Sequence, residues 1–285
     1  MLDERYLVMG LDALGRAAAG DYFADGHRGA AIIAAYYLCR EGPVEPGAAE
    51  AMAGMIDRRW AQTGLCAPSP PEAPDQELLQ QVTGTIDANI GRLRQAGHNV
   101  IIPSLALRAF RQLPEAITPS RVNGVCRLIE AFDTAEDISP EDTDASPDPA
   151  DASQFAEFAL RQTLQAIQAF LGRGQGWSGH MLTYSRALID LHRLGYEDLA
   201  RHGLYAHGLY VKRLRMGPRT TDGHFREHEP TDLRPTDHAY WAKRRRQPIG
   251  IGHCFKYPYG FYGLLSLARA PDLKQAALAG SYRLF

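Results

Sequence analysis

Residues 26–38 read GHRGAAIIAAYYL, a glycine-histidine pair that runs directly into an apolar stretch of about three helical turns. A similar pair, apolar run, short break and second helical run occur three more times. With 27 glycines and 10 histidines in 285 residues, about one Gly-His pair is expected by chance, and the chain has five. Four of them carry this pattern, and their histidines lie 71, 82 and 73 residues apart: His27, His98, His180 and His253.

These recurrences indicate a helical repeat protein, in which each unit buries one face and depends on its neighbours. No stretch alternates apolar and polar residues as a half-buried strand would. We therefore predict an all-α fold with four helical-hairpin repeats in a single domain over residues 1–285. An open solenoid is one arrangement, and a closed α/α toroid, which brings equivalent positions to a common axis, is the other. The repeats are expected at about residues 6–60, 77–132, 154–214 and 224–285.

The segments around the repeated hairpins differ in composition. Apolar residues at three-to-four spacing predict a further helix before the histidine in the first three repeats. Residues 224–248 are charged and interrupted by proline, which predicts a long loop with a short helix. Residues 67–74 contain four prolines and predict a stiff connector. Residues 133–153 are acidic and rich in Asp, Pro and Ser, so a mobile loop is expected there.

The overall composition is that of an ordinary globular protein. A net charge of −2 predicts neither a nucleic-acid partner nor a charged membrane partner, and a small-molecule substrate is expected instead. The four cysteines form no CxxC pair, which favours reduced thiols. The first residues do not resemble a secretory leader, and no apolar run is long enough for a membrane span. A soluble, cytoplasmic protein is the expectation.

The four repeated histidines suggest a shared metal centre. Neutral imidazole is the commonest metal ligand, and two to four imidazoles suit Fe, Cu, Zn or Ni. If the repeats close into a ring, His27, His98, His180 and His253 project toward one centre. Two alternatives stay open: a metal-free histidine pocket, and a helix-entry signal copied by internal duplication. Histidine is a poor N-cap, which weakens the second of these.

A divalent ion held only by neutral imidazoles keeps its full charge in an apolar site, which is costly without a nearby anion. Lys256 stands out because residues 253–263, HCFKYPYGFYG, are otherwise so apolar. A buried lysine with a lowered pKa can react with carbon dioxide and become an anionic carbamate ligand. The alternative is a lysine whose stem lies along apolar surface and whose ammonium reaches solvent at the rim.

Aromatic residues near the histidines form either ordinary core or a pocket for a flat, apolar substrate. Phenol hydroxyls need polar partners, which favours the pocket. Its expected lining is Tyr36, Tyr37, Tyr184, Tyr257, Tyr259, Phe261 and Tyr262. His202 and His207 are predicted to lie at the surface or rim. His224, His228 and His238 fall in the polar loop, where a lid that supplies an acid or base is possible.

The four Gly-His helices and the late His253-x-x-Lys256 resemble the questin oxidase-like family, and the resemblance in pattern extends over most of the chain. Members of that family are all-helical, ring-cleaving oxygenases that act on anthraquinones. Their non-haem iron is held by histidines and a carboxylated lysine. The resemblance implies iron at His27, His98, His180 and His253, with carboxylated Lys256 as the additional ligand. This chain is shorter than the fungal members, which implies smaller loops or a different substrate.

Three classes of function follow. The first is a non-haem iron oxygenase that acts on an aromatic or polyketide-like molecule in a central cavity, with Lys256, Tyr184 and Tyr257 as its catalytic residues. The second is a metal-free α/α-toroid isomerase or lyase that uses histidines and tyrosines as acid-base groups. The third is a helical-repeat interaction scaffold, which has no need of a histidine at one fixed position in every unit.

Overall fold

The computed structural model describes residues 2–139, 145–225 and 227–285. Over these ranges the regular structure is helical and contains no β-strand, which confirms the all-α prediction. The twelve α-helices of the described chain are α1 (Arg5–Ala17), α2 (Tyr22–Glu41), α3 (Pro46–Arg59), α4 (Leu79–Ile90), α5 (His98–Gln112), α6 (Pro119–Ala131), α7 (Ala152–Ala169), α8 (Gln175–Arg193), α9 (Glu197–Arg215), α10 (His238–Arg244), α11 (His253–Leu267) and α12 (Pro271–Gly280).

The helices fall into four successive groups of three, and the second helix of each group carries the repeated histidine. These second helices are α2, α5, α8 and α11. The first helix of the last group, α10, has only seven residues, in the segment where charge and proline predict a short helix. None of the described helices is both long and apolar enough to cross a membrane.

The four histidine-bearing helices contact one another in a closed cycle: α2 with α5, α5 with α8, α8 with α11, and α11 with α2. All four run in the same direction. Histidines meet within the first two turns of these helices, whereas Arg108 of α5 pairs with Glu41 at the end of α2 and with Asp190 late in α8. Tyr37 of α2 likewise lies beside Tyr259 of α11. These inner helices therefore have a histidine end and an opposite end.

Glycine allows two of the inner helices to approach closely. A Cβ at Gly260 of α11 would lie 2.9 Å from the backbone of Leu182 in α8, so any side chain there would force the helices apart. A Cβ at Gly263 would overlap the guanidinium of Arg186. At this opposite end Arg186 also pairs with Asp190 at 2.8 Å and with Glu41 at 3.1 Å. The buried charges are therefore paired, as a low-polarity interior requires.

The other helices pack around this inner cycle through their apolar faces. Helix α1 is amphipathic and lies against α2 and α6, while α4 contacts α6 and α9. Helix α7 contacts both α8 and α11, and α10 packs on α3. The outer helices thus cover the sides of the inner ones.

The acidic segment predicted to be mobile makes specific contacts in its described part. The amide of Glu136 donates to the carbonyl of Leu93 at 2.9 Å, and Ile138 is buried. Ser146 hydrogen-bonds His207 at 2.7 Å, and helix α7 already begins at Ala152. Residues 140–144 of that prediction lie outside the described residues. The flanks of the segment are therefore attached to the helical domain.

Candidate metal centre

The repeated histidines enter their helices in two alternating ways. His98 and His253 are the first residues of α5 and α11, each after a glycine in the left-handed region, with φ of 86° at Gly97 and 88° at Gly252. Only glycine adopts such angles without strain. His27 and His180, by contrast, lie in the second turn of α2 and α8. The first and third units therefore carry the histidine inside the helix, and the second and fourth carry it at the start of the helix.

A helix-entry signal accounts for only two of the four Gly-His pairs. Within α8, a Cβ at Gly179 would overlap the ring of Tyr257. Within α2, a Cβ at Gly26 would lie 3.1 Å from the side chain of Leu128, which is tighter than an ordinary contact. Glycine therefore makes room for the Tyr257 ring beside His180, and at Gly26 it allows close packing against Leu128 beside His27.

All four histidines converge on one place. Ligand nitrogens of His27, His98 and His180 lie within 4.8 Å of one another. The ring centroids of His27 and His98 are 4.2 Å apart, and those of His98 and His180 are 4.3 Å apart. His253 lies beside these three but outside the 4.8 Å group, with its ring centroid 5.2 Å from that of His27 and 4.9 Å from that of His180.

The hydrogen bonds of these rings leave nitrogens free for a ligand. His27 Nδ1–H donates to the Phe23 carbonyl at 2.6 Å, and His98 Nδ1–H donates to the Gln95 carbonyl. A backbone acceptor on one nitrogen fixes the tautomer and leaves the lone pair on the other, as in many metal sites. The Nε2 atoms of His27, His98 and His253 and the Nδ1 atom of His180 are buried without a partner among the described residues. The donor set therefore fits a metal ion.

The environment keeps these imidazoles neutral. Burial lowers the pKa of all four, and any positive charge on the nearby Lys256 lowers the pKa values further. The pKa of His98 falls to about 3. Neutral imidazole is the form that binds metal ions, so the cluster is ready for a ligand at neutral pH without releasing protons.

Lys256 is completely buried, and its Nζ has no hydrogen-bond partner in the described parts of the chain. Its amine therefore does not reach solvent at the rim. Burial lowers the pKa of Lys256 well below its usual value, which favours the neutral amine. Because Lys256 lies one turn after His253 and acts on the pKa of every histidine in the cluster, it belongs to the same site.

The cluster borders a cavity of about 710 Å³. His98, His180 and His253 reach it together with Tyr257, whose ring stacks on His253 at a centroid distance of 4.6 Å. The Tyr257 hydroxyl is buried without a partner in the described structure. The apolar part of the lining is aromatic and aliphatic: Phe23, Trp177, Phe225, Ile249, Ile251, Leu284 and Phe285.

Tyr257 alone among the predicted aromatic residues lines this cavity. Tyr184 is fully buried elsewhere: its hydroxyl donates to the Gly203 carbonyl at 3.4 Å and its ring packs beside His207. The predicted catalytic role of Tyr184 thus lacks a route to the cavity. Three other tyrosines, Tyr37, Tyr259 and Tyr262, line a separate cavity of about 140 Å³ at the opposite end of the inner helices.

The remaining histidines divide between the cavity and the packing. His224 and His228 line the cavity, whereas His238 begins α10 and contacts Gly47. His202 is exposed beside Asp87, as the sequence indicates. His207 is not a rim residue: it is fully buried and hydrogen-bonds Ser185 at 2.9 Å. The prediction for His207 was wrong because its apolar neighbours, such as Phe155, come from a different helix.

Two carboxylates of the cavity were not singled out from the sequence. Asp222 already pairs with Arg213 at 2.6 Å. Glu136 has no ion-pair partner among the described residues and accepts a hydrogen bond from the Ala96 amide at 3.4 Å. Glu136 lies in an acidic, loop-like segment, and no local motif marks it as a site residue. It could therefore not be identified from the sequence.

No protein-family model, curated protein or solved structure matches this chain. Its function must therefore be inferred from the site itself.

Proposed function

We propose that the histidine cluster binds a transition metal, iron in the functional protein, and that the protein is an oxygenase for an aromatic small molecule. The single observation that carries this proposal is the convergence of buried imidazoles with unshared nitrogens beside a large cavity. A single buried imidazole with an unpaired nitrogen would be an unsatisfied polar group. Several such imidazoles around one point form the ligand set that a metal ion requires.

His27, His98 and His180 would hold the ion, and His253 is the fourth candidate ligand. An all-nitrogen donor set favours iron, copper, nickel or zinc over magnesium or calcium, which prefer oxygen. The choice of iron depends on the resemblance to questin oxidase-like enzymes. Bound iron would supply the activation of dioxygen, chemistry that side chains alone do not perform.

Lys256 is proposed to provide the negative charge that four neutral imidazoles lack. Its buried neutral amine attacks the carbon of carbon dioxide, a C–N bond forms, and one C=O electron pair moves to oxygen. The nitrogen then loses a proton to water, and the product is a carbamate with one negative charge. The unpartnered Nζ beside four candidate metal ligands supports this assignment.

The cavity is suited to a planar, largely apolar substrate. The aromatic and aliphatic part of its lining can cover the faces of such a molecule, the polar part, which includes Arg244, can contact its polar substituents, and a volume of about 710 Å³ accommodates several fused rings. Tyr257 is placed to orient that molecule, because its hydroxyl is free and its ring is held against His253.

Metal analysis of purified protein tests the proposal directly. After expression with added iron, we expect about one equivalent of iron per chain by inductively coupled plasma mass spectrometry. Protein that binds neither iron nor another transition metal would contradict the proposal. A metal-free isomerase or lyase, with the neutral amine of Lys256 as its base, would then be the better candidate.

Removing the Lys256 amine should weaken metal binding even though the four histidines remain. Lys256→Ala and the volume-conserving Lys256→Met are both expected to lower iron affinity by about tenfold to 100-fold. Loss of bicarbonate should weaken binding to the wild type but not to the variants. Added acetate should partly restore binding to Lys256→Ala, since only alanine leaves space for it. Full iron content in both variants would exclude the carbamate.

A further inference from the structure

The loop that leads into α5 is strained at the point where it joins the histidine cluster. Three consecutive residues have positive φ: 43° at Gln95, 58° at Ala96 and 86° at Gly97. Gln95 and Ala96 carry side chains, for which this region is unfavourable. Both residues also line the cavity. Such a conformation persists only where surrounding contacts impose it.

The contacts to the loop's backbone amides at Gln95 and Ala96 come from the acidic segment, while the Gln95 side chain donates to the Tyr22 hydroxyl at 3.0 Å. The Gln95 amide donates to the Thr134 carbonyl at 3.1 Å, and the Ala96 amide donates to the Glu136 carboxylate at 3.4 Å. Glu136 is itself held because its amide donates to the Leu93 carbonyl at 2.9 Å. Of these groups from the acidic segment, only the Glu136 carboxylate belongs to a side chain. A substitution at Glu136 can therefore remove this acceptor and leave the backbone hydrogen bonds in place.

The strained loop in turn sets the orientation of His98. The carbonyl of Gln95 accepts from His98 Nδ1–H, which leaves Nε2 to face the other imidazoles. Phe132 stacks on the same ring, with a centroid distance of 5.6 Å and an interplanar angle of 23°. Phe132 directly precedes the segment that carries Thr134 and Glu136. The same short stretch of chain therefore contacts both the loop before α5 and the imidazole ring of His98.

We propose that Glu136 is a positioning residue of the metal centre: by holding the Ala96 amide, it keeps the Gln95 carbonyl where it fixes the tautomer and direction of His98. This inference rests on the proposed metal site. Glu136 also borders the cavity, so a substrate that contacts its carboxylate would act on the loop beneath His98. Burial raises the pKa of Glu136, while the hydrogen bond from the Ala96 amide lowers it.

The test compares variants of Glu136 by their affinity for Co²⁺, whose absorption spectrum reports the ligand geometry. Glu136→Ala is expected to raise the Kd for Co²⁺ by about tenfold to 100-fold. Glu136→Gln keeps an acceptor oxygen for the Ala96 amide and should bind within about threefold of wild type. Asp137→Ala, in the exposed position next to it, is the matched control and should bind as wild type.

A second substitution tests the role of strain. Ala96→Gly removes the penalty of positive φ at that position, so in the Glu136→Ala background it should recover much of the lost affinity. If Glu136→Ala binds Co²⁺ as tightly as wild type with an unchanged spectrum, the proposal is overturned. An affinity loss that neither Glu136→Gln nor Ala96→Gly reduces would also overturn it, because general damage to the fold would then be the cause.

A further measurement distinguishes failure of the positioning role of Glu136 from failure of the proposed metal site. If wild-type protein binds neither Co²⁺ nor iron nor another transition metal, the proposed function is rejected, and the orientation of His98 is read from its imidazole ¹⁵N shifts in the metal-free protein. Wild type should show Nδ1 protonated and Nε2 unprotonated. Glu136→Ala should show a mixture of tautomers, and an unchanged single tautomer would contradict the positioning role.

Discussion

The His180→Ala variant should contain no bound iron after purification. Its ring centroid lies 4.3 Å from that of His98 and 4.9 Å from that of His253, and its loss removes one of the three histidines whose ligand nitrogens lie within 4.8 Å of one another. Protein metal sites are stabilised by about 10–16 kcal/mol over roughly four ligands, so one ligand accounts for about 3 kcal/mol, or more than 100-fold in affinity. Inductively coupled plasma mass spectrometry and competition with a chelator measure the change.

His207→Gln is the matched control for this experiment. His207 is also fully buried with a lowered pKa, but its ring nitrogens are occupied by Ser185 and Ser146. Glutamine can keep one of these hydrogen bonds, so the variant should fold and retain one equivalent of iron. Equal iron content in His180→Ala and wild type would show that the metal binds elsewhere or not at all.

The metal-free protein should unfold sharply in mild acid. Burial lowers the pKa of the four cluster histidines and of His207, with values of about 3 for His98 and His207. The unfolded chain therefore binds protons below about pH 6.5, while the folded chain does not. The stabilisation is fully present above about pH 6.5 and is lost progressively as the pH falls toward 3.

The expected slope is large. Each buried histidine contributes about 1.4 kcal/mol per pH unit below its unfolded pKa, so several together exhaust a typical stability of about 5–15 kcal/mol within roughly two pH units. Urea unfolding followed by circular dichroism between pH 7 and 4 measures this. His207→Gln should reduce the slope by about one proton, and bound metal should move the transition to lower pH. A stability that stays constant down to pH 4.5 would contradict the prediction.

The convergence of the histidines could be predicted because it depends on repetition. A Gly-His pair at one place in each of four units becomes a cluster once the inner helices run parallel in a closed cycle. The alternation between the two kinds of unit could not be predicted in the same way. Whether a glycine adopts positive φ, as at Gly97, or admits a neighbouring ring, as at Gly179, depends on which helix packs against it.

The residues that the sequence misplaced are those whose surroundings come from distant segments. Tyr184 lies one turn after His180, on nearly the same face of α8, and yet its hydroxyl donates to Gly203 of α9 and its side chain does not line the cavity. Glu136 lies in an acidic stretch with no apolar pattern, and only the fold brings it under the loop before His98. The composition of a segment predicts its average solvent exposure. It does not identify which carboxylate accepts a hydrogen bond from a backbone amide.

The parallel cycle of inner helices also governs the order in which the molecule can assemble. Successive histidines of the cluster are at least 71 residues apart, so no local segment contains even two of them. Contacts between such distant residues form late, because long loops must close first. A folding intermediate with three docked units therefore lacks the fourth imidazole and presents an open, incomplete cluster. If the site binds a metal as proposed, uptake in the final geometry would require all four units to have docked, and a loaded molecule would be one in which every repeat is in place.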